Sequence, residues 1–183
     1  SETKIKLDLL LAKKGFPRLD LSRVPPQETI KTGLNEIDRL IEGIPRGQIT
    51  EIFGSISSGR TSLLFSLLHQ ITVKKEEFTC IVDPGETFDP ISANSANVDL
   101  SKVLWIRTTP NIKTILKITD LLLNTRGFGL IGVDCTEIPI KDIQNIPIPA
   151  WFRLQRAVKD TPTILLFLSQ VAGIKICASF AIQ

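Results

Sequence analysis

Apolar residues along this chain fall into two rhythms. Short, nearly continuous apolar runs recur at 48–53 (QITEIF), 79–83 (TCIVD), 103–107 (VLWIR), 130–134 (LIGVD) and 163–169 (TILLFLS). Runs of that length read as strands, and near-continuous apolarity is what a strand covered on both faces requires. Residues 175–183 alternate at Ile176, Ala178, Phe180 and Ile182 and read as one more strand. Between these runs the spacing turns helical. Residues 63–73 read as one helix and 151–159 as a short one. In 113–124, Ile115, Ile118 and Leu122, with Leu116 and Leu123, make one apolar face. Strands alternating with helices predict an α/β fold with a mainly parallel twisted sheet flanked by helices.

The start of the chain breaks this alternation. In IKLDLLLAKKG, Ile5 and Leu9, with Leu7, Leu10 and Leu11, suggest a short helix stopped by Gly15 and Pro17. Val24, Pro25, Pro26 and Gln27 read as a linker. The expected organisation is therefore a helix and linker over 1–31 and a core over 32–183. A lone amphipathic helix ahead of a linker packs on its own core or on a neighbouring subunit, so a homo-oligomer joined through this segment is one expectation.

Charge sharpens that division. Of 183 residues, 22 are Lys or Arg and 19 are Asp or Glu, a net +3. Seven of the basic residues (Lys4, Lys6, Lys13, Lys14, Arg18, Arg23, Lys31) and four of the acidic ones (Glu2, Asp8, Asp20, Glu28) lie in 1–31, so the remainder is neutral. A basic lead-in fits a solvated arm or a contact with nucleic acid. Hydrophobic residues make up 43% and charged residues 22%, as in globular domains rather than disordered chains. No apolar run approaches the roughly 20 residues that span a bilayer, and the first ten residues lack a signal-peptide layout. Cys80, Cys135 and Cys177 are far apart and sit in or beside apolar runs. They read as buried thiols, which suit a reducing cytoplasm.

The strongest chemical signal is Gly54-Ser55-Ile56-Ser57-Ser58-Gly59-Arg60-Thr61-Ser62. It follows a strand and opens a helix, and it matches the phosphate-loop pattern except that Arg60 replaces Lys. Small residues let successive N–H groups converge on an anion, and the helix adds its positive end. Thr61 would offer its hydroxyl to Mg²⁺. Arg60 keeps the charge, but its rigid fork does not simply replace a Lys reaching between phosphates.

Beyond the loop, Thr32-Gly33, Asp38, Leu40, Gly43, Pro45-Arg46-Gly47 and Glu51 stand as they do before the phosphate loop of the RecA family. Downstream, DPGETFDPISANSANVDLSKVL, LIGVD, LFLSQ and IKICASFAI resemble successive segments of the same family. PRGQITEIFGSISSGRTSLL, FDP, VLWIR, TDLLL and IPIPAWFRLQRAV are closer still to shorter bacterial RecA-like proteins related to ImuA, which are associated with SOS-type DNA repair and mutagenesis. The resemblance implies a RecA-like P-loop core binding ATP or ADP with Mg²⁺. By that resemblance Gly54, Ser55, Ser57, Ser58, Gly59, Arg60, Thr61 and Ser62 hold phosphates, and Asp89 contacts adenine. Thr61 and Asp134 serve the metal, and Gln170 senses the terminal phosphate. An Asp closing a strand lies where α/β sheets bind ligands. Single-stranded DNA and DNA-repair proteins, a recombinase or a translesion polymerase, are the implied partners.

Several positions depart from the family. Its catalytic Glu lies two residues after the Asp matching Asp83, where this chain has Gly85; Glu86 follows one residue later. A general base must reach its water, so the offset is expected to misaim Glu86. Only 171–174 separate Gln170 from the next apolar run, where RecA has a long DNA-contacting loop. The segment 139–149, at the family's first DNA loop, carries one Lys and one Asp, too little basic charge for phosphate contacts. Trp151, Phe152, Arg153 and Arg156 read either as a packing helix or as a stacking set for single strands. Three functions stay open: a nucleotide-binding accessory protein with at most weak ATPase activity, an active DNA-dependent ATPase recombinase, and an interaction module that binds no nucleotide.

Overall fold

The structure, a computed structural model, describes residues 28–125, 127–159, 161–173 and 180–182. The expected helix over 5–15 and linker over 24–27 lie outside the described residues. The first described element is a small antiparallel pair, β1 (Thr29–Ile30) with β2 (Ile44–Pro45), bracketing the helix α1 (Asn35–Leu40). Arg46 fastens this pair to the body. Its guanidinium grips both carboxylate oxygens of Glu77 at 2.9 and 3.0 Å and pairs with Glu28 at 3.3 Å. Ile30 is buried and joins the apolar cluster that includes the α-helix after the 54–59 loop, whereas Glu28, Thr29 and Lys31 are exposed.

The main sheet holds β3 (Ile49–Phe53), β4 (Phe78–Asp83), β5 (Val103–Arg107), β6 (Phe128–Asp134), β7 (Ile164–Ser169) and β8 (Phe180–Ile182). Their order is β5-β4-β6-β7-β3-β8, and every pair is parallel. Parallel neighbours need crossovers, and helices supply them. α2 (Arg60–His69) runs on into a wider π-type turn (Gln70–Lys74), where the Thr72 hydroxyl donates to the Leu68 carbonyl at 2.7 Å. α3 (Pro90–Ser95), α4 (Ile112–Thr125), α5 (Ile140–Gln144) and α6 (Ile148–Val158) complete the α-helices among the described residues, and a single 3₁₀ turn spans Leu100–Lys102.

Alternation along β7 divides the core. Ile164, Leu166 and Leu168 pack with α2 residues Leu63, Leu64, Leu67 and Leu68, whereas Leu165 and Phe167 pack with Ile115, Leu122, Trp151 and Leu154 of α4 and α6. Both faces are covered, which is why the β7 run is apolar throughout. Trp151 packs edge-on against Phe167 with ring centroids 5.2 Å apart, and Arg153 pairs with Asp120 at 3.3 Å. Of the aromatic–arginine set on α6, Trp151 is thus a core residue, while Phe152 is half exposed.

The expected strands are present with small shifts at their ends. The last appears as Phe180–Ile182, with 174–179 and 183 outside the described residues. Segment 139–149 is not a plain loop: it forms α5 and opens α6, where Pro149 sits in the first turn, a position that tolerates proline. Among the described residues no helix is long and apolar enough to cross a membrane.

Candidate nucleotide-binding site

Strand register decides which side chains meet. Phe53 is level with Ser169, Asp134 with Leu168, and Val82 with Val133. The carboxyl ends of β3, β7, β6 and β4 therefore open onto one edge, the edge at which such sheets bind ligands.

At that edge β3 passes into the loop 54–59. A Cβ at Gly54 would lie 2.5 Å from the Ser58 hydroxyl oxygen and 2.9 Å from the Ser58 Cβ, so only glycine lets the loop fold back this closely. Ser58 N–H donates to the Ser55 carbonyl at 3.2 Å, closing the turn. Ser57 has φ 67° and Gly59 φ 89°, left-handed conformations that turn the chain into α2. Gly59 caps α2 without a side chain, and Leu63 N–H already bonds its carbonyl at 2.9 Å. The amides of the first turn are thus left without a capping side chain, as an anion site requires. Ser55, Ser57, Ser58, Thr61 and Ser62 are exposed around this concavity.

Arg60 is partly buried and donates through Nη1 to the Ser169 carbonyl at 2.6 Å. The positive group of the loop is thereby turned toward the end of β7. Arg60 still lines the cleft, together with Ser57, Thr61, Thr87, Asp134, Thr136, Glu137 and Gln170.

Asp134 faces the loop from the end of β6. Its Oδ2 accepts from the Thr87 hydroxyl at 2.6 Å; its Oδ1 accepts from the Thr136 amide at 2.8 Å and hydroxyl at 2.6 Å. Thr136 is tied in turn to Gln170, whose Nε2 donates to the Thr136 carbonyl at 2.9 Å. Thr87 is held by Asp83, which is fully buried and accepts from Thr87 N–H at 3.0 Å, Phe88 N–H at 2.9 Å and Trp105 Nε1 at 3.0 Å. One hydrogen-bonded chain therefore runs Asp83–Thr87–Asp134–Thr136–Gln170 across three strand ends.

The other sequence-derived candidates lie apart. Glu86 is exposed at φ 52° and does not line the cleft. Asp89 caps α3 by accepting from the Ile91 and Ser92 amides at 3.1 Å each. The Ser92 hydroxyl, then these amides, hold the Asp89 carboxyl below the usual range. It too stands outside the cleft lining. Thr87, Thr136 and Glu137 were not singled out from the sequence. Their signal was the unusual density of Thr and Glu just after two strand-ending aspartates, in DPGET and DCTE. Among the described residues no three His, Cys, Asp or Glu side chains cluster to hold a metal. One carboxylate and one hydroxyl, with phosphate oxygens, instead suit the way Mg²⁺ is bound. Cys80 and Cys135 are buried and unbridged; burial pushes the Cys80 thiol to about 12, and burial, then the Asp134 and Glu51 charges, push Cys135 upward. Cys177 lies outside the described residues.

The sequence itself has relatives. A family model described as the RecA N-terminal domain matches residues 6–144. The chain is 28% identical over 182 residues to Protein RecA of Wigglesworthia glossinidia brevipalpis, covering 91% of this chain and 54% of that protein. It is 26% identical over 183 residues to Protein RecA of Ectopseudomonas oleovorans, covering 91% of this chain and 52% of that protein. The chain thus spans about half the length of the curated relatives it matches. On this match, together with a parallel sheet that gathers loop, Asp134 and Gln170 at one edge, the chain belongs to the RecA N-terminal domain family.

Proposed function

We propose that the chain is a RecA-like nucleotide-binding protein acting as an accessory in DNA repair, holding ATP or ADP with Mg²⁺ weakly and working through protein partners or DNA. The observation that carries this reading is the loop 54–59, folded tightly enough to exclude a side chain at Gly54 and facing the tethered carboxylate of Asp134.

The residues present fit the ligand. The loop amides and the start of α2 would bind phosphate oxygens, and Thr61 with Asp134 would hold the metal. Bound Mg²⁺ supplies positive charge against the phosphates. Threonines 87 and 136 keep the Asp134 carboxylate in place, so little ordering is needed on binding. Gln170 shares the Thr136 anchor and carries a change at Asp134 toward the segment after β7. The resemblance to ImuA-related proteins supports a repair role, and the parent family supports single-stranded DNA and self-association as partners.

Arg60 gives a specific reason for weak binding. Its guanidinium is tethered through Nη1 to the Ser169 carbonyl at the end of β7, which uses one of its five N–H donors and restricts how the rest can meet a phosphate. The same contact favours the second reading, an interaction module without nucleotide.

Melting with Mg-ATP separates the two. A ligand bound only by the native state raises the melting temperature. Mg-ATP is expected to raise it, and Thr61→Ala and Asp134→Ala to remove that rise. An unmoved wild-type melting curve at millimolar Mg-ATP rules out the nucleotide reading.

A further inference from the structure

The cleft is lined by two carboxylates, Asp134 and Glu137, and they are not equivalent. Both oxygens of Asp134 accept hydrogen bonds from threonines. Glu137 is exposed, and among the described residues its carboxylate has no hydrogen bond or ion pair. Its position is nonetheless defined. A Cβ at Gly85 would lie 2.6 Å from Glu137 Cγ and 3.0 Å from Glu137 Cβ, so the stem of Glu137 lies across the bare backbone of Gly85. Gly85 does not have a left-handed φ, so backbone conformation does not demand glycine there. What the missing side chain provides is room for Glu137 and for the Thr87 methyl, 3.1 Å away. The two positions fit as a pair, and Glu137, its carboxylate unengaged, lines the cleft together with Arg60, Thr61 and Gln170.

We propose that Glu137 is the catalytic general base of this site, activating water for ATP hydrolysis. This role rests on the nucleotide-binding reading above. In the step, the water oxygen forms a bond to the γ-phosphorus. The bond from that phosphorus to the β,γ-bridging oxygen breaks, and its electron pair stays on the ADP leaving group. One water proton passes to the Glu137 carboxylate and from there to solvent, and the products are ADP and inorganic phosphate. Asp134 cannot take this part as readily, because Thr87 and Thr136 already donate to its oxygens. Glu86, one residue past Gly85, is outside the cleft lining.

The test uses the full chain with Mg-ATP, with and without single-stranded DNA, reading melting temperature and phosphate release on the same samples. Glu137→Gln is expected to melt as wild type without nucleotide and to keep the Mg-ATP rise. Its phosphate release should fall by roughly a hundredfold, the scale of general-base loss. Glu86→Gln is expected to release phosphate as wild type does. Gly85→Glu combined with Glu137→Ala moves the carboxylate to the facing position and should recover part of the lost rate. Phosphate release by Glu137→Gln equal to wild type overturns the proposal. So does a wild-type chain whose melting rises with Mg-ATP but which releases no phosphate above background; nucleotide binding then stands without Glu137 as base. Absence of any melting rise removes both readings, and so is distinguishable from failure of this one alone.

Discussion

Among single residues, Asp83 does the most to hold the edge of the sheet. It ends β4 with no exposed surface, and its carboxylate gathers two loop amides and the Trp105 indole. Asp83→Ala leaves those donors without their acceptor. Each unsatisfied buried donor costs about 1–3 kcal/mol, so a loss of about 3 kcal/mol or more is expected. Urea unfolding measures it. The same variant should shrink the Mg-ATP melting rise, because Thr87 then loses the partner that steadies it beneath Asp134. Asp83→Asn retains an acceptor oxygen and should cost less; equal losses for both variants would show that the charge, not the hydrogen bonding, matters. Sequence showed Asp83 only as a landmark for counting to Gly85. Its partners lie in another strand and a following loop, and no spacing rule relates them. Glu137 was hidden for a similar reason: it becomes significant only beside the backbone of Gly85, more than fifty positions earlier in the chain.

Elements show the opposite balance. The strands at 48–53, 79–83, 130–134 and 163–169 were legible because burial on both faces leaves nearly continuous apolar runs; the edge strand at 103–107 has no buried residue and was legible from its apolar run VLWIR alone. α4 was legible because Ile115, Leu116, Leu122 and Leu123 are all buried on one side. The short helices α1, α3 and α5 were not, since five or six residues bury too little surface to impose a period. α3 is instead started locally, by Asp89 at its cap and Pro90 in its first turn. The loop-and-helix unit 54–69 was readable as a motif, yet the Arg60 contact with Ser169 depends on β7 being the neighbour of β3. That unit carries its own prediction. Gly54→Ala pushes a methyl into Ser58 and forces the turn open. Overpacking of this kind costs about 1–3 kcal/mol, a modest loss for the apo protein. The nucleotide response should suffer far more, since converging amides work only in the closed turn. A melting rise with Mg-ATP as large as wild type would mean that the tight turn is not what binds phosphate.

For the whole molecule, the uneven charge matters most. The core over 32–183 carries equal numbers of acids and bases, and the edge that holds the candidate site adds no basic cluster: α5 and the start of α6 bring Lys141 against Asp142. Affinity for single-stranded DNA comes largely from phosphate contacts, each releasing counterions and adding about 0.7 to the salt slope. A neutral core can supply few of these. Residues 1–27 hold Lys4, Lys6, Lys13, Lys14, Arg18 and Arg23, enough for a slope contribution of up to about 4 if all six reach phosphates. Deleting 1–27 should therefore weaken DNA binding and flatten its dependence on salt, measured by fluorescence anisotropy from low to physiological salt. The Mg-ATP melting rise should survive the deletion, because loop, Asp134 and Gln170 are positioned by strands that begin after residue 48. Folding should survive too, provided Glu28 is kept, since it joins Lys75 and Arg46 at the edge of the body. An unchanged salt slope after deletion would move the DNA contact onto the core, with the exposed Phe152 and Arg156 of α6 as the next residues to replace.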